Sequence, residues 1–253
     1  MASTTTTSST VPKGAESPPP TASPIPKVLA FDVFGTVVDW HGSIAREAER
    51  IVPGLDGDAF ALAWREGYRP AMARTMASGQ FRVLDELHLE ILRDIAPRFG
   101  LALTPEQEDE LNKAWHRLDP WPDSAAALAR LKTKFIITPL SNGGIGLLTH
   151  MAKRGGLPWD VVLCAEVFQA YKPAHRVYQG VGRVLGVPIA EVMMVATHHD
   201  DLDAAQDAGL QTAYIARPLE FGAKHTELKD SERKERHPLH FDSIHGLADH
   251  FGC

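Results

Sequence analysis

Cysteine is scarce in this 253-residue chain: Cys164 and Cys253 occur alone, and neither belongs to a metal-binding or redox motif. A disulfide framework is therefore not expected, and a reducing, cytoplasmic setting is the simplest interpretation. No apolar run approaches the roughly 20 residues that a membrane-spanning helix needs. Basic residues are not in excess, since 26 lysines and arginines are mixed with 32 aspartates and glutamates. The sequence thus indicates neither a membrane partner nor a nucleic-acid partner.

The first 26 residues lack the apolar side chains that a folded segment buries. They consist mainly of serine, threonine and proline, so ordering them would not offset the loss of conformational entropy. A continuous apolar region and a basic start are also missing, which argues against a secretory signal. We therefore expect residues 1–26 to form a disordered tail. The rest of the chain is long enough for one substantial core plus a smaller appended unit.

The stretch that ends near residue 118 has a helical pattern almost throughout. Apolar residues recur at three- and four-residue steps in segments 59–77 and 83–95, which predicts amphipathic helices. Another helix is expected to begin after Thr104, because a proline follows it and Gln107 stands at the capping-box position. A proline-rich junction then closes this block.

Short buried strands alternate with helices beyond residue 123. The predicted strands cover residues 28–31 near the start of the chain and then 135–140, 161–164, 192–196 and 212–216. Such alternation indicates a parallel sheet with helices on both faces. The predicted fold class is α/β, a Rossmann-like parallel-sheet core (27–43 and 124–253) with an inserted all-helical cap (44–123). The charged residues 219–240 are expected to form a surface excursion.

Polar residues directly follow four of the predicted strands. They are Asp32 and Thr36, then Ser141 and Asn142, then Lys172, and finally residues 197–201. The carboxyl ends of parallel strands face one crevice, which is where α/β proteins bind ligands. Each group alone could be a turn, a cap or a favourable charge at a helix N-terminus. Their coincidence at four strand ends favours a functional site.

These stretches together resemble the ordered motifs of the haloacid dehalogenase superfamily. The matching residues are DVFGT at 32–36, LSNGG at 140–144, YKP at 171–173 and HHDDLDAAQDAG at 198–209. The resemblance extends over nearly all of the chain after the tail. It also includes the position of the helical block after the first motif. It implies a hydrolase with a nucleophilic aspartate.

Two positions differ from the phosphatases of that superfamily. Those phosphatases carry a second aspartate two residues after the nucleophile, and this acid protonates the leaving alkoxide. Phe34 stands there and can transfer no proton, whereas a halide ion leaves without one. Thr197 stands where an acidic Mg²⁺ ligand is usual, and Asp32 with Asp201 alone would form a poor octahedral cage. The sequence therefore most resembles the metal-independent 2-haloacid dehalogenase branch, which needs no cofactor.

That resemblance implies a catalytic role for five residues of the core. Asp32 is the expected nucleophile that forms an ester with the substrate, and Thr36 would orient its carboxylate. Lys172, supported by Tyr178, would keep the nucleophile ionised. Asp201 would orient or activate the water that cleaves the ester.

A second set of residues is expected to hold the substrate and the departing halide. Arg65 in the helical block would bind the halide, although a surface arginine on an amphipathic helix has the same pattern. His198 would donate a hydrogen bond to water or accept one from it, or else cap a helix, and it could titrate near neutral pH. The complete predicted set is Val33, Phe34, Arg65, Ser141, Asn142 and His198.

The expected reaction is hydrolysis of a short 2-haloalkanoic acid, a haloacetate or an L-2-haloacid, to the 2-hydroxy acid and halide. The partner is then a small-molecule haloacid, and the resemblance also allows a homodimer. One alternative is a phosphatase or other hydrolase of the same superfamily, which Mg²⁺-dependent phosphatase activity would reveal. Another is a non-catalytic binding protein on the same fold.

Overall fold

A six-stranded parallel sheet organises the residues that the computed structural model describes, which are Met1, 24–229, 236, 237 and 239–253. The predicted tail lies almost entirely outside them. In chain order the strands are β1 (Val28–Phe31), β2 (Val38–Asp39), β3 (Asp119–Pro120), β4 (Ile136–Ser141), β5 (Leu163–Cys164), β6 (Val192–Ala196), β7 (Gln211–Ile215) and β8 (His240–Phe241). The sheet order is β5-β4-β1-β6-β7-β8.

Strand β1 lies at the centre of the sheet and is fully buried. Its Ala30 pairs with Thr138 of β4 on one side and with Met194 of β6 on the other. A continuous apolar strand is stable there because helices cover both faces of a parallel sheet. The predicted α/β fold class is confirmed.

Ten α-helices account for most of the remaining described chain. They are α1 (Trp40–Ile51), α2 (Gly57–Ser78), α3 (Leu84–Ile95), α4 (Pro105–Asn112), α5 (Ser124–Leu131), α6 (Ile145–Gly155), α7 (Ala165–Phe168), α8 (His175–Leu185), α9 (His199–Asp207) and α10 (Ile244–His250). None of the helices in the described ranges is long and apolar enough to cross a membrane.

Helices α1 to α4 form a helical insertion, residues 40–118, between the antiparallel partners β2 and β3. The predicted capping box is present: the Gln107 N–H donates to the Thr104 hydroxyl and the Gln107 side chain accepts from the Thr104 N–H. The insertion has its own apolar interior, in which the rings of Trp64 and Trp115 meet edge to face 5.6 Å apart. This packing gives α2 a fixed face toward the sheet.

Two parts of the chain differ from the sequence prediction. Strands β2, β3 and β8 have two residues each, which is too short for an alternating hydrophobic pattern to indicate a strand. The surface excursion over residues 219–240 is wrong for Glu220 and His237, whose side chains are completely buried. A charged side chain is buried stably when it is paired, and Glu220 is paired with Lys229. Residues 230–235 and 238 lie outside the described residues.

Candidate active site

A cavity of about 460 Å³ lies at the carboxyl ends of β1, β4 and β6, where helix α2 faces them. The sheet side contributes mostly charged and polar groups: Asp32, Phe34, Asn142, Lys172, Tyr178, His198, Asp200 and Asp201. The insertion contributes Arg65, Tyr68, Arg69, Met72, Ala73 and Met76. The predicted residues Val33, Thr36 and Ser141 are buried next to this lining.

Asp32 follows β1 directly, and its backbone N–H donates to the Val195 oxygen of β6. Lys172 Nζ lies 3.0 Å from its Oδ1, and the Thr36 hydroxyl donates to Oδ2 across 2.8 Å. His198 Nδ1 is 3.2 Å from the same Oδ2. Burial alone would raise the pKa of Asp32, but Lys172 and His198 lower it well below its usual range. Asp32 is therefore ionised.

Lys172 joins two carboxylates, since its Nζ also lies 2.5 Å from Asp201 Oδ2. The Tyr178 hydroxyl donates to the other oxygen, Asp201 Oδ1, across 2.6 Å. Tyr178 thus supports the lysine through Asp201. Burial lowers the pKa of Lys172, but Asp201 and Asp32 raise it above its ordinary value overall. Burial raises the pKa of Asp201, so the two carboxyls that share the lysine are displaced in opposite directions.

Two polar residues at the end of β4 form hydrogen bonds with neighbouring loop backbone. Asn142 Oδ1 accepts a hydrogen bond from the backbone N–H of Lys172 across 2.8 Å. The Ser141 hydroxyl accepts one from the Gly143 N–H across 3.1 Å. Asn142 also lines the cavity. The predicted serine–asparagine pair is therefore next to the nucleophile, with both side chains engaged in shaping the loop.

Arg65 presents a half-buried cationic group on the insertion side of the cavity. Its guanidinium carbon lies 4.1 Å from the Tyr68 ring centre and 5.4 Å from that of Trp40. Its Nη1 is buried and has no hydrogen-bond partner among the described residues. Arg69, one turn further along α2, instead forms an exposed ion pair with Asp200 at 2.7 Å. Arg65 thus keeps a donor that no described residue engages, whereas Arg69 is paired with a carboxylate at the rim.

Comparison with known proteins agrees with this geometry. The family model of haloacid dehalogenase-like hydrolases matches residues 26–209. The chain belongs to that family. An (S)-2-haloacid dehalogenase of Pseudomonas putida is 28% identical over 192 residues, which is 75% of this chain and 84% of that protein. The family and the hydrolase class predicted from the four motifs are confirmed.

Two solved structures have a higher sequence identity with this chain than that relative has. The L-2-haloacid dehalogenase PA0810 is 38% identical, with a TM-score of 0.84 over 90% of this chain and 100% of the other. The defluorinating L-2-haloacid dehalogenase Rha0230 is 39% identical, with a TM-score of 0.82 over 90% of this chain and 96% of the other. This haloacid dehalogenase-like hydrolase is therefore similar to 2-haloacid dehalogenases over most of its length.

Glu220 is an active-site neighbour that sequence reasoning missed. Its Oε1 lies 2.7 Å from His198 Nε2, on the opposite side of the imidazole from Asp32. Lys229 Nζ lies 2.5 Å from Oε2, and Trp40 Nε1 donates to Oε1 across 3.3 Å. Burial raises the pKa of Glu220, but His198 and Lys229 lower it overall to about 2. The one sign of its burial in the sequence is that this glutamate stands between two apolar residues, Leu219 and Phe221.

Arg217 is a second missed residue, and it fixes the loop after the nucleophile. Its Nε donates to the Thr36 carbonyl oxygen across 2.9 Å, and its Nη2 donates to Asp123 Oδ2 across 3.0 Å. Burial lowers the pKa of the arginine, while Asp123 opposes that effect. The contact joins positions 181 residues apart, so no local pattern could indicate it.

The charged groups on the sheet side do not form a cluster suited to a cation. Among the residues with described positions, no group of three or more histidine, cysteine, aspartate or glutamate side chains is arranged to hold a metal ion. Asp32 and Asp201 instead share the ammonium of Lys172. In this family member the positive charge between the two carboxylates thus comes from a side chain.

Proposed function

We propose that this chain is a 2-haloacid dehalogenase that converts a short 2-haloalkanoic acid to the 2-hydroxy acid and halide. One observation carries the proposal: the ionised Asp32 and Arg65 line the same cavity, and no described residue forms a hydrogen bond with Arg65 Nη1. A nucleophile on one wall and an anion acceptor on the other suit displacement of a halide. The similar proteins named above are called (S)- or L-2-haloacid dehalogenases.

In the first half-reaction, a carboxylate oxygen of Asp32 attacks the carbon that bears the halogen. A carbon–oxygen bond forms, the carbon–halogen bond breaks with inversion, and the electron pair leaves with the halide toward Arg65. Lys172 keeps Asp32 ionised before the attack. The product of this step is an ester between Asp32 and the substrate.

In the second half-reaction, water attacks the carboxyl carbon of Asp32. Asp201 accepts a proton from that water, and Tyr178 and Lys172 hold Asp201 in place. A raised pKa suits a carboxylate that must take up a proton briefly. The ester bond then breaks, the 2-hydroxy acid leaves with the original Asp32 oxygen, and one proton passes to solvent.

Phe34 and Lys172 support dehalogenation over phosphate transfer. The Phe34 ring packs edge-on against Tyr68 and Trp115, with ring centres 6.4 Å and 5.9 Å away. A phenylalanine there donates no proton to an alkoxide leaving group, whereas a halide needs none. Because the Lys172 ammonium joins Asp32 to Asp201, we propose a reaction that is independent of metal ions.

We further propose that the helical block, residues 44–123, acts as a cap over the core formed by residues 27–43 and 124–253. Arg69 and Asp200 join the two parts at the rim of the cavity. A cavity of about 460 Å³ is near the small end of ligand sites. A haloacid of two or three carbons fits within it.

The proposed function is tested by incubating the purified chain, in EDTA, with chloroacetate, fluoroacetate and each enantiomer of 2-chloropropionate. We expect halide release from chloroacetate and from the L enantiomer. A parallel assay uses p-nitrophenyl phosphate with Mg²⁺. No halide from any haloacid, together with Mg²⁺-dependent phosphate release, would replace the dehalogenase by the phosphatase alternative.

A single-turnover reaction in ¹⁸O-labelled water tests the ester. With enzyme in excess, the label should enter Asp32, because the product takes its hydroxyl oxygen from the carboxylate. Peptide mass spectrometry locates the label. If the label enters only the hydroxy acid, water attacks the substrate directly and no ester forms.

A further inference from the structure

The two oxygens of Asp32 have different surroundings. Among the described residues, Oδ1 receives one hydrogen bond, from Lys172, whereas Oδ2 faces two donors, Thr36 and His198. A carboxylate oxygen accepts about two hydrogen bonds with its two lone pairs. Oδ1 therefore keeps a lone pair for attack on the substrate. We therefore expect the ester to form through Oδ1, with Oδ2 as its carbonyl oxygen.

Attack of water on the Asp32 carboxyl carbon places negative charge on Oδ2. Donors already aimed at such an oxygen lower the barrier because they need no reorganisation. The Thr36 hydroxyl is 2.8 Å from Oδ2 and the His198 Nδ1 is 3.2 Å away. These two side chains therefore surround the oxygen that becomes an oxyanion.

His198 can act as a charged donor because carboxylates face both of its ring nitrogens. Nδ1 faces Asp32 and Nε2 faces Glu220. Ionised carboxylates only accept hydrogen bonds, so both nitrogens carry hydrogen and the ring is an imidazolium. Burial lowers the pKa of His198, but Glu220 and Asp32 raise it overall to about 9.

The backbone beside the nucleophile leaves room for Glu220. A Cβ on Gly35 would lie 2.3 Å from Glu220 Oε1, and Gly35 has a φ of +87°. A larger residue in the first motif would displace the glutamate and adopt a strained backbone. Other charged groups near the pair are Lys229 on Glu220 and Asp200, paired with Arg69, near His198.

We propose that His198 is a catalytic residue of ester hydrolysis, donating from Nδ1 to the oxyanion on Oδ2, and that Glu220 is the positioning residue that holds it. The inference rests on the proposed function. Water forms a bond to the carboxyl carbon, one proton passes to Asp201, and the carbonyl electron pair moves to Oδ2. As that pair returns, the bond from the carboxyl carbon to Oδ1 breaks, and the departing oxygen takes the proton from Asp201. The carboxyl group of Asp32 then ionises to solvent.

The test measures halide release and ester accumulation on chloroacetate in Glu220→Gln. We expect one equivalent of halide to appear at close to the wild-type rate, followed by turnover at least about tenfold slower, because a neutral donor stabilises the oxyanion less. Mass spectrometry should find the ester on the peptide that contains Asp32. Glu227→Gln, an exposed glutamate of the same segment, should behave like the wild type.

A second variant, His198→Asn, tests the same proposal if Glu220→Gln does not fold. His198→Asn leaves the contacts of Glu220 with Lys229 and Trp40 in place, and we expect the same burst with turnover roughly 100-fold slower. In Glu220→Gln the alkaline fall in turnover should also move to lower pH, since the imidazolium loses its partner. A purely structural role would slow both half-reactions equally.

The outcomes separate the two proposals. An active wild type whose Glu220→Gln variant shows unchanged turnover, or a first halide release slowed as much as turnover, would overturn the role of the pair alone. A wild type that releases no halide would overturn the proposed function and this inference together. A halide burst with accumulated ester in both variants supports the pair.

Discussion

The charged groups on the two walls of the cavity differ in whether they already have hydrogen-bond partners. On the sheet wall, the charged groups Asp32, Lys172, His198 and Asp201 are held by hydrogen bonds and ion pairs to one another. On the insertion wall, Arg65 lies among aromatic rings and keeps a buried donor that no residue in the described part of the chain engages.

This difference follows from what each wall is proposed to do. A nucleophile must have a defined ionisation state before substrate arrives, so its partners are fixed in advance. An anion acceptor must keep a free donor until the leaving group forms, so its partners are aromatic faces, which do not consume its hydrogen bonds. We therefore expect Arg65 to acquire a partner when an anion binds, whereas the groups of the sheet wall already have theirs.

The largest loss of activity is expected from a substitution in the sheet wall. Asp32→Asn should reduce halide release by roughly 10⁴-fold or more, as loss of a nucleophile does in other covalent enzymes. Steady-state assays with chloroacetate measure it. Asp207→Asn, which removes an exposed carboxylate of α9, should leave the rate unchanged. Full activity in Asp32→Asn would contradict the assignment of the nucleophile.

A smaller kinetic effect is expected on the insertion wall. Arg65→Lys keeps the charge but loses the planar donor stacked on Tyr68, and it should lower kcat/KM by about 100-fold. It should also weaken product inhibition by chloride and bromide. Arg74→Lys on the same helix, where the side chain is exposed, is the control. Equal losses in both variants would mean that Arg65 has no special role.

The sheet wall should also contribute stability that depends on pH. The pKa of His198 is raised to about 9 in the folded chain. The ion pairs of His198 therefore contribute fully to stability at pH values below the ordinary pKa of histidine. That contribution is lost as the pH rises through about 9. His198→Asn should therefore lower the free energy of unfolding by up to roughly 3 kcal/mol below pH 6. Urea unfolding at several pH values measures it, with His175→Asn, an exposed histidine, as control. A cost that stays constant to pH 10 would contradict the ion pairs.

The smallest change in stability and rate is expected from a substitution at the rim, where the two walls meet. The ion pair between Arg69 and Asp200 is exposed, with side-chain exposures of 70% and 54%. Exposed pairs contribute about 0–1 kcal/mol, so Arg69→Ala should change the melting temperature little and the rate by a few-fold at most. A loss as large as that of Arg65→Lys would make the rim arginine, rather than Arg65, the anion acceptor.

The sequence by itself determined the sheet wall. Carboxyl ends of neighbouring parallel strands converge wherever the strands pair, so Asp32, Asn142, Lys172 and Asp201 could be assigned to one crevice from the order of the motifs. Phe34 needed no structure either, because the chemistry of its side chain excludes an acid at that position. Such features are local, and local patterns are visible in one sequence.

Only the tertiary structure decided the rest. Arg65 and Arg69 lie one turn apart on one face of α2, so helical periodicity cannot distinguish them. The family resemblance favoured Arg65, and only the structure shows the rings of Tyr68 and Trp40 next to it. Glu220 reaches His198 from a charged segment that resembled a surface loop. Its burial depends on partners far along the chain, and the energy of a buried charge is set by those partners rather than by its neighbours in sequence.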